Sequence, residues 1–207
     1  MKLKWHGHSC FEITLDNGGV IITDPFDASV GYPLCTAKAD VALSSHGHFD
    51  HNYFDSLKGD FQVINTEGVH EALGARITGV PTFHDDAGGA KRGSNLIFVI
   101  EADGVRLAHL GDLGHLPETP AQIEALTGLD VMLIPVGGHF TIDTPQAVAI
   151  VERFKPRAAI AMHFRNAYCG FPITDEKEFL RLTGGTTLPN AIEITAEAPK
   201  GAFAMQI

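Results

Sequence analysis

The chain has 207 residues, with Lys+Arg 15 against Asp+Glu 25 for a formal net charge of −10, and 11 His beside a single Trp. At 44% hydrophobic and 19% charged residues, this is the composition of a globular protein with a packed core, which excludes disorder, and the length fits one domain over residues 1–207. The acidic balance argues against nucleic acid as a partner, because affinity for phosphate backbones rests on Lys and Arg.

Met1-Lys2-Leu3-Lys4-Trp5-His6-Gly7 lacks the apolar run and cleavage site of a secretory signal. No stretch reaches the ~18 apolar residues of a membrane span, so a cytoplasmic protein without membrane contact is expected. Cys10, Cys35 and Cys169 are odd in number and far apart, the pattern of reduced structural thiols rather than a disulfide framework.

In chain order, a strand over Lys2–Trp5 precedes a hairpin from Cys10–Leu15 through Asp16-Asn17-Gly18-Gly19 to Val20–Thr23, the Asn-Gly tolerating positive φ. Buried strands are expected at Val41–Ser44 and Phe61–Ile64, then a helix over Glu67–Leu73. A second hairpin joins Asn95–Ile100 to Val105–Leu110 through Asp103-Gly104. Helical patterns at Pro120–Leu126, Thr144–Phe154 and Thr174–Leu182 then alternate with strands at Val131–Ile134 and Ala158–Met162. Thr144-Pro145 reads as an N-cap followed by proline at the first helical position. Hairpins followed by alternating strands and helices imply sheets covered by helices on their outer faces.

The chemistry concentrates in Ser44-Ser45-His46-Gly47-His48-Phe49-Asp50-His51, directly after the Val41 strand. Two His one residue apart in extended backbone point to one side, so one cation can accept a nitrogen from each. Asp50 and His51, where the chain turns, can reach a second cation.

With this motif the chain resembles the metallo-β-lactamase superfamily, whose signature is His-x-His-x-Asp-His after a strand. Further family ligands have counterparts in His84 of Val80-Pro81-Thr82-Phe83-His84, Asp112 of His109-Leu110-Gly111-Asp112 and His163 of Ile160-Ala161-Met162-His163. The resemblance implies an α+β fold, a four-layer αββα sandwich of two mixed β-sheets with helices outside. It also implies one metal on His46, His48 and His84, a second on Asp50, His51 and His163, and the Asp112 carboxylate bridging them. Two divalent ions are thus expected, Zn²⁺ first, with Mn²⁺ or Fe²⁺ as alternatives. Asp112 also reads as a turn residue after a strand.

β-Lactamases of the superfamily use a Cys ligand and are exported, and flavin-linked diiron relatives carry Glu where this chain has His48. Gly7-His8-Ser9, Thr23-Asp24-Pro25-Phe26 and Pro135-Val136-Gly137-Gly138-His139-Phe140-Thr141 instead look like the short cytosolic hydrolases related to ascorbate-6-phosphate lactonase. Asp24 either fixes the tautomer of a ligand His or forms an Asp-Pro turn. His8 and His139 read as substrate-holding or proton-donating groups near the pocket, or as structural histidines. Arg92, in the glycine-bearing loop after His84, and Arg165, two residues past His163, are candidate contacts for an anion or else surface residues.

The implied activity is hydrolysis of an ester, lactone or phosphoester in a small, anionic substrate by a metal-bridging hydroxide, with Asp50 orienting the nucleophile. Phosphodiesterase or nuclease-type chemistry at the same two-metal site and a non-catalytic metal-binding module are the alternatives. No nucleic-acid or membrane partner is expected, and a homo-oligomer is one expected state, since symmetric assemblies are common among soluble enzymes.

Overall fold

The computed structural model describes residues 1–207. Its first strands follow the hairpin pattern: β1 (Lys2–Gly7), β2 (Cys10–Thr14) and β3 (Val20–Thr23) are antiparallel neighbours. Two long crossovers then add β4 (Val41–Leu43) and β5 (Gln62–Ile64) in parallel with β3.

The next strand corrects the sequence expectation, because Gly68–Ala72 is strand β6 and not a helix. Gly68 sits at φ 100, and Leu73 and Gly74 at φ 56 and 75 turn the chain back, so that Ala72 faces Ala75 of β7 (Ala75–Phe83). Two positive φ angles are what a tight hairpin turn requires, and pairing along β7 overrides the helical preference of Glu, Ala and Leu.

β8 (Ser94–Ala102) and β9 (Val105–His109) form the second expected hairpin, with Asp103 and Gly104 at φ 55 and 70. Thereafter helices alternate with parallel strands: α1 (Pro120–Leu126), β10 (Val131–Pro135), α2 (Thr144–Phe154) and β11 (Ala158–Met162). α3 (Lys177–Thr183), β12 (Thr186–Pro189), β13 (Ala191–Glu193) and β14 (Gly201–Gln206) complete the chain.

The α2 cap differs by one residue from expectation. Asp143 accepts from the Gln146 amide and Gln146 returns the bond, while the Thr144 hydroxyl donates to Val136 O at 2.9 Å and ties the helix to the end of β10. α3 begins three residues late because Thr174 is tethered instead, its amide and hydroxyl both donating to Gly137 O at 2.8 and 3.0 Å.

Two mixed sheets result, ordered β13-β1-β2-β3-β4-β5 and β12-β14-β11-β10-β9-β8-β7-β6. They share one contiguous core that includes Leu3, Trp5, Phe11, Ile21, Phe98, Leu133 and Ile160. α1 packs on β7, α3 on β14 and α2 on α3, which is the α+β sandwich of the sequence reading. No helix is long and apolar enough to cross a membrane.

Strand polarity creates the functional edge. β3 and β4 run parallel, as do β9, β10 and β11, and β7 shares the direction of β9 because both are antiparallel to β8. Their carboxyl ends, and the β1–β2 turn opposite the end of β3, therefore deliver their loops to one rim, the usual ligand position in sheets of this kind.

Candidate metal centre

β4 stops at Leu43, so His46 and His48 do not share a strand face as the spacing predicted. They lie in a bend instead, where the Ser44 hydroxyl donates to His46 O at 2.7 Å. The bend still brings His46 Nε2 within 3.1 Å of His48 Nδ1. His84, just past β7, completes a group with these two, all three ligand nitrogens lying within 4.8 Å of one another.

Asp50, His51 and His163 form a second such group, joined by His8. Asp112 stands between the groups: Oδ2 lies 3.1 Å from His84 Nε2 and 3.2 Å from His163 Nε2, and Oδ1 lies 3.2 Å from His51 Nε2. The residues expected to hold two ions thus converge from four separate loops, after β4, β7, β9 and β11. His8, read as a substrate contact, is wholly buried in the second group, with Nε2 donating to Asp50 Oδ2 at 3.2 Å.

Three positioning devices hold the cluster. Asp24 is buried, accepting from the Ser45 amide and hydroxyl at 2.7 Å each and from His51 Nδ1 at 2.8 Å. This is the carboxylate–histidine pairing that fixes a ligand tautomer, leaving His51 Nε2 free to face Asp112 and Asp50. With its proton committed to Asp24, the Ser45 hydroxyl accepts from His46 Nδ1 at 3.0 Å, which frees the His46 Nε2 lone pair.

Asn95 is the second device and is missing from the sequence reading. Its carbonyl accepts the Asp112 amide at 2.9 Å, and its amide donates to Thr82 Oγ1 and Leu110 O. Third, the Asp85 carboxylate accepts from the amides of Ala87, Gly89, Lys91 and Arg92 at 2.7–2.9 Å, folding the loop after His84 around itself. Burial would raise the Asp85 carboxyl, but these amides hold it at about 2. The sequence signal available for Asn95 was a polar side chain opening an otherwise apolar strand.

Backbone strain gathers at the same rim. His8, Asp24 and His163 adopt φ 51, 42 and 51, a conformation that costs ~1–3 kcal/mol in a non-glycine residue and tends to persist at functional sites.

The shifts at His46, His8 and Asp112 suit cation binding, which needs neutral imidazole and ionised carboxylate. Burial, reinforced by the charge on His51, pushes His46 down to about 3, and burial with the charge on His163 pushes His8 down to about 4. Burial alone would raise the Asp112 carboxyl, but His163 and His51 hold it well below the usual range. His51 runs the other way: burial opposes its charge, yet Asp112, Asp50 and Asp24 together raise it well above an ordinary imidazole.

His51 Nε2, His84 Nδ1, both ring nitrogens of His163 and Asp112 Oδ1 are buried without a hydrogen-bond partner. Each such group costs ~1–3 kcal/mol if left unmet, and a shared set of nitrogen and oxygen donors is what a borderline divalent cation satisfies. The residues therefore fit the expected pair of ions.

A cavity of about 260 Å³ opens over the cluster, lined by His48, Asp50, His84 and Asp112 together with Arg92 and the rings of Phe49, Phe140 and Phe171. Arg92 is brought there as expected. His139 is not: Gly138 and His139 at φ 65 and 58 swing Phe140 into the cavity and leave the His139 side chain exposed, with its carbonyl accepting from Arg92 at 3.1 Å. Arg165 is also exposed, its amide bonded to Thr174 O and its charge beside Asp175. His109 is buried, 2.8 Å from Ser9 O.

Comparison with known proteins places this geometry. The family model of the Beta-lactamase superfamily domain matches residues 2–163. The chain is 31% identical to a UPF0173 metal-dependent hydrolase of Thermococcus onnurineus, over 89% of this chain and 92% of that one. Among solved structures, a Thermotoga maritima protein described as a Zn-dependent hydrolase of the metallo-β-lactamase superfamily matches with a TM-score of 0.82 and 35% identity, covering 99% of this chain and 97% of that one. A metallo hydrolase from Ignicoccus hospitalis matches with a TM-score of 0.65 and 25% identity, over 87% of this chain and 89% of that one.

Proposed function

The chain belongs to the metallo-β-lactamase superfamily and groups with its metal-dependent hydrolases, and from that premise we propose that it cleaves an ester or lactone bond in a small, anionic substrate. The observation that carries this reading is the convergence of His46, His48, His84, Asp50, His51, His163 and Asp112, with several of their buried polar atoms unpaired, against an open cavity that His48, Asp50, His84 and Asp112 line. The motif likeness to ascorbate-6-phosphate lactonase favours the ester or lactone over other bonds.

His46, His48 and His84 would hold one divalent ion and Asp50, His51 and His163 the other, with Asp112 shared. Ions held there supply Lewis acidity and a source of hydroxide near neutral pH. Asp24 holds the His51 proton on Nδ1, so Nε2 faces inward. His8 donates from Nε2 to Asp50, which keeps that carboxylate ionised and oriented toward the cavity as a proton acceptor. Arg92 supplies the positive charge that receives the substrate's anion.

The test is metal content and turnover together. Protein purified without chelator should carry about two ions per chain and hydrolyse members of a lactone, thioester and phosphodiester panel, with His48→Ala as blank. Asp112→Ala should lose most metal from at least one position and nearly all turnover. Unchanged metal content and activity in that variant would overturn the proposal, and turnover confined to phosphodiesters would overturn the choice of bond.

A further inference from the structure

We infer that the non-reacting part of the substrate is a flat, apolar body bearing a single carboxylate, received by a Phe49–Phe140–Phe171 collar with Arg92 at its edge; this rests on the hydrolase reading above. The collar is built rather than incidental. Phe171 stands edge-on to Phe49 and to Phe140, each with centroids 6.4 Å apart and planes at 80°. It stands edge-on to His8 as well, at 5.6 Å and 87°, so one ring connects the collar to the buried cluster.

Phe49 lies between His48 and Asp50 and is 53% exposed. A phenylalanine left in water beside a polar cluster sacrifices apolar burial that a ligand restores. Rings in edge-to-face arrangement favour a further aromatic partner, because the π quadrupole rewards that geometry.

The charge on Arg92 limits the anion. Arg92 is the one cationic side chain lining this cavity. Its guanidinium lies 5.5 Å from the Phe140 centroid and donates to the His139 carbonyl, whereas neighbouring Lys91 is engaged by Asp86 at 2.7 Å. One guanidinium, already stacked on a ring, matches a carboxylate through a paired donor fork. A phosphate dianion would call for additional cationic donors.

Phenylacetate, acetate, hexanoate and inorganic phosphate serve as probes against the full-length, metal-loaded protein, by calorimetry or ligand-observed NMR. Phenylacetate should bind at least about tenfold more tightly than acetate and more tightly than hexanoate or phosphate. Phe171→Ala should erase about three- to tenfold of the preference over acetate, with Phe171→Leu intermediate as a control for folding. Arg92→Gln should weaken phenylacetate about tenfold or more.

Equal affinity for acetate and phenylacetate, tighter binding of phosphate, or indifference to Arg92→Gln would overturn the inference. Uptake of Zn²⁺, Mn²⁺ and Fe²⁺, measured separately, distinguishes the two failures. Uptake without discrimination among the acids sinks the collar alone, whereas aryl-acid selectivity in a protein that takes up none of Zn²⁺, Mn²⁺ and Fe²⁺ sinks the hydrolase reading.

Discussion

Asp24 shows how much a single buried carboxylate organises. It lies fully inside the protein and accepts from Ser45 twice and from His51 once, so its charge is spent on holding a serine amide and an imidazole tautomer. Asp24→Asn retains the volume but can no longer accept on both side-chain atoms. The Ser45 hydroxyl and His51 Nδ1 share Oδ2 while the Ser45 amide uses Oδ1, so an amide nitrogen in place of Oδ2 strips both of their acceptor and one in place of Oδ1 strips the Ser45 amide. Groups of this kind typically contribute 10–100-fold in metal affinity. We therefore expect competition titration with a chromogenic chelator to show Zn²⁺ affinity at the His51 position falling about tenfold or more, with a melting temperature several degrees lower. Unaltered affinity would reduce Asp24 to a turn residue. The two readings of Asp24 were open in the sequence because its three donors are brought to it only by the β3–β4 pairing.

At the scale of elements, the connection after β9 is tightly specified. Gly111 adopts φ +55, and a Cβ there would meet Asn95 Oδ1 at 2.3 Å and the Ser45 side chain at 2.6 Å. That Asn95 oxygen is the acceptor of the Asp112 amide. Gly111→Ala therefore adds a clash to the cost of a positive φ, and should destabilise by ~2–4 kcal/mol with loss of bound metal. Gly18, at φ +88 with nothing within 4 Å of its would-be Cβ, provides the comparison, since Gly18→Ala meets the φ penalty alone and should cost ~1 kcal/mol with metal content unchanged. Denaturant unfolding of both variants and their metal content check this; equal losses would show that the Gly111 surroundings yield freely. β6 carries the opposite lesson. Glu71 and Ala72 favour helix, and the turn at Leu73-Gly74 with the long partner β7 makes the segment a strand.

For the whole molecule, the centre joins two sheets. The His163 amide, at the end of β11, donates to His8 O at 3.2 Å in the other sheet, and the Leu96 amide of β8 donates to Ser45 O at 2.9 Å. Cations bound between these loops tie the halves of the sandwich together and favour the folded state. Ion present at 100 times its dissociation constant adds ~2.7 kcal/mol, and for a domain of this size each kcal/mol moves the melting temperature by ~2–4 °C. Chelator treatment should therefore lower the melting temperature by about 5–11 °C, with recovery on adding Zn²⁺. A melting curve indifferent to chelator would mean that the buried imidazoles and carboxylates satisfy one another, and would count against a metal centre.

Sequence alone determined what depends on local spacing and residue chemistry: the hairpins at Asn17-Gly18 and Asp103-Gly104, the strands β10 and β11, helix α2, and the donor types gathered in His46–His51, His84, Asp112 and His163. Tertiary structure decided what depends on distant pairings. Parallel strands from both sheets carry those donors to one rim, β6 is a strand because β7 is beside it, His8 is buried in the cluster, and His139 turns outward while Phe140 turns in. The collar of Phe49, Phe140 and Phe171 could not be read from the chain, because rings separated by 31 to 122 positions in sequence become neighbours only when their loops meet. Side-chain chemistry is a property of single residues and survives in one dimension, whereas a cavity exists only once the strands have closed around it.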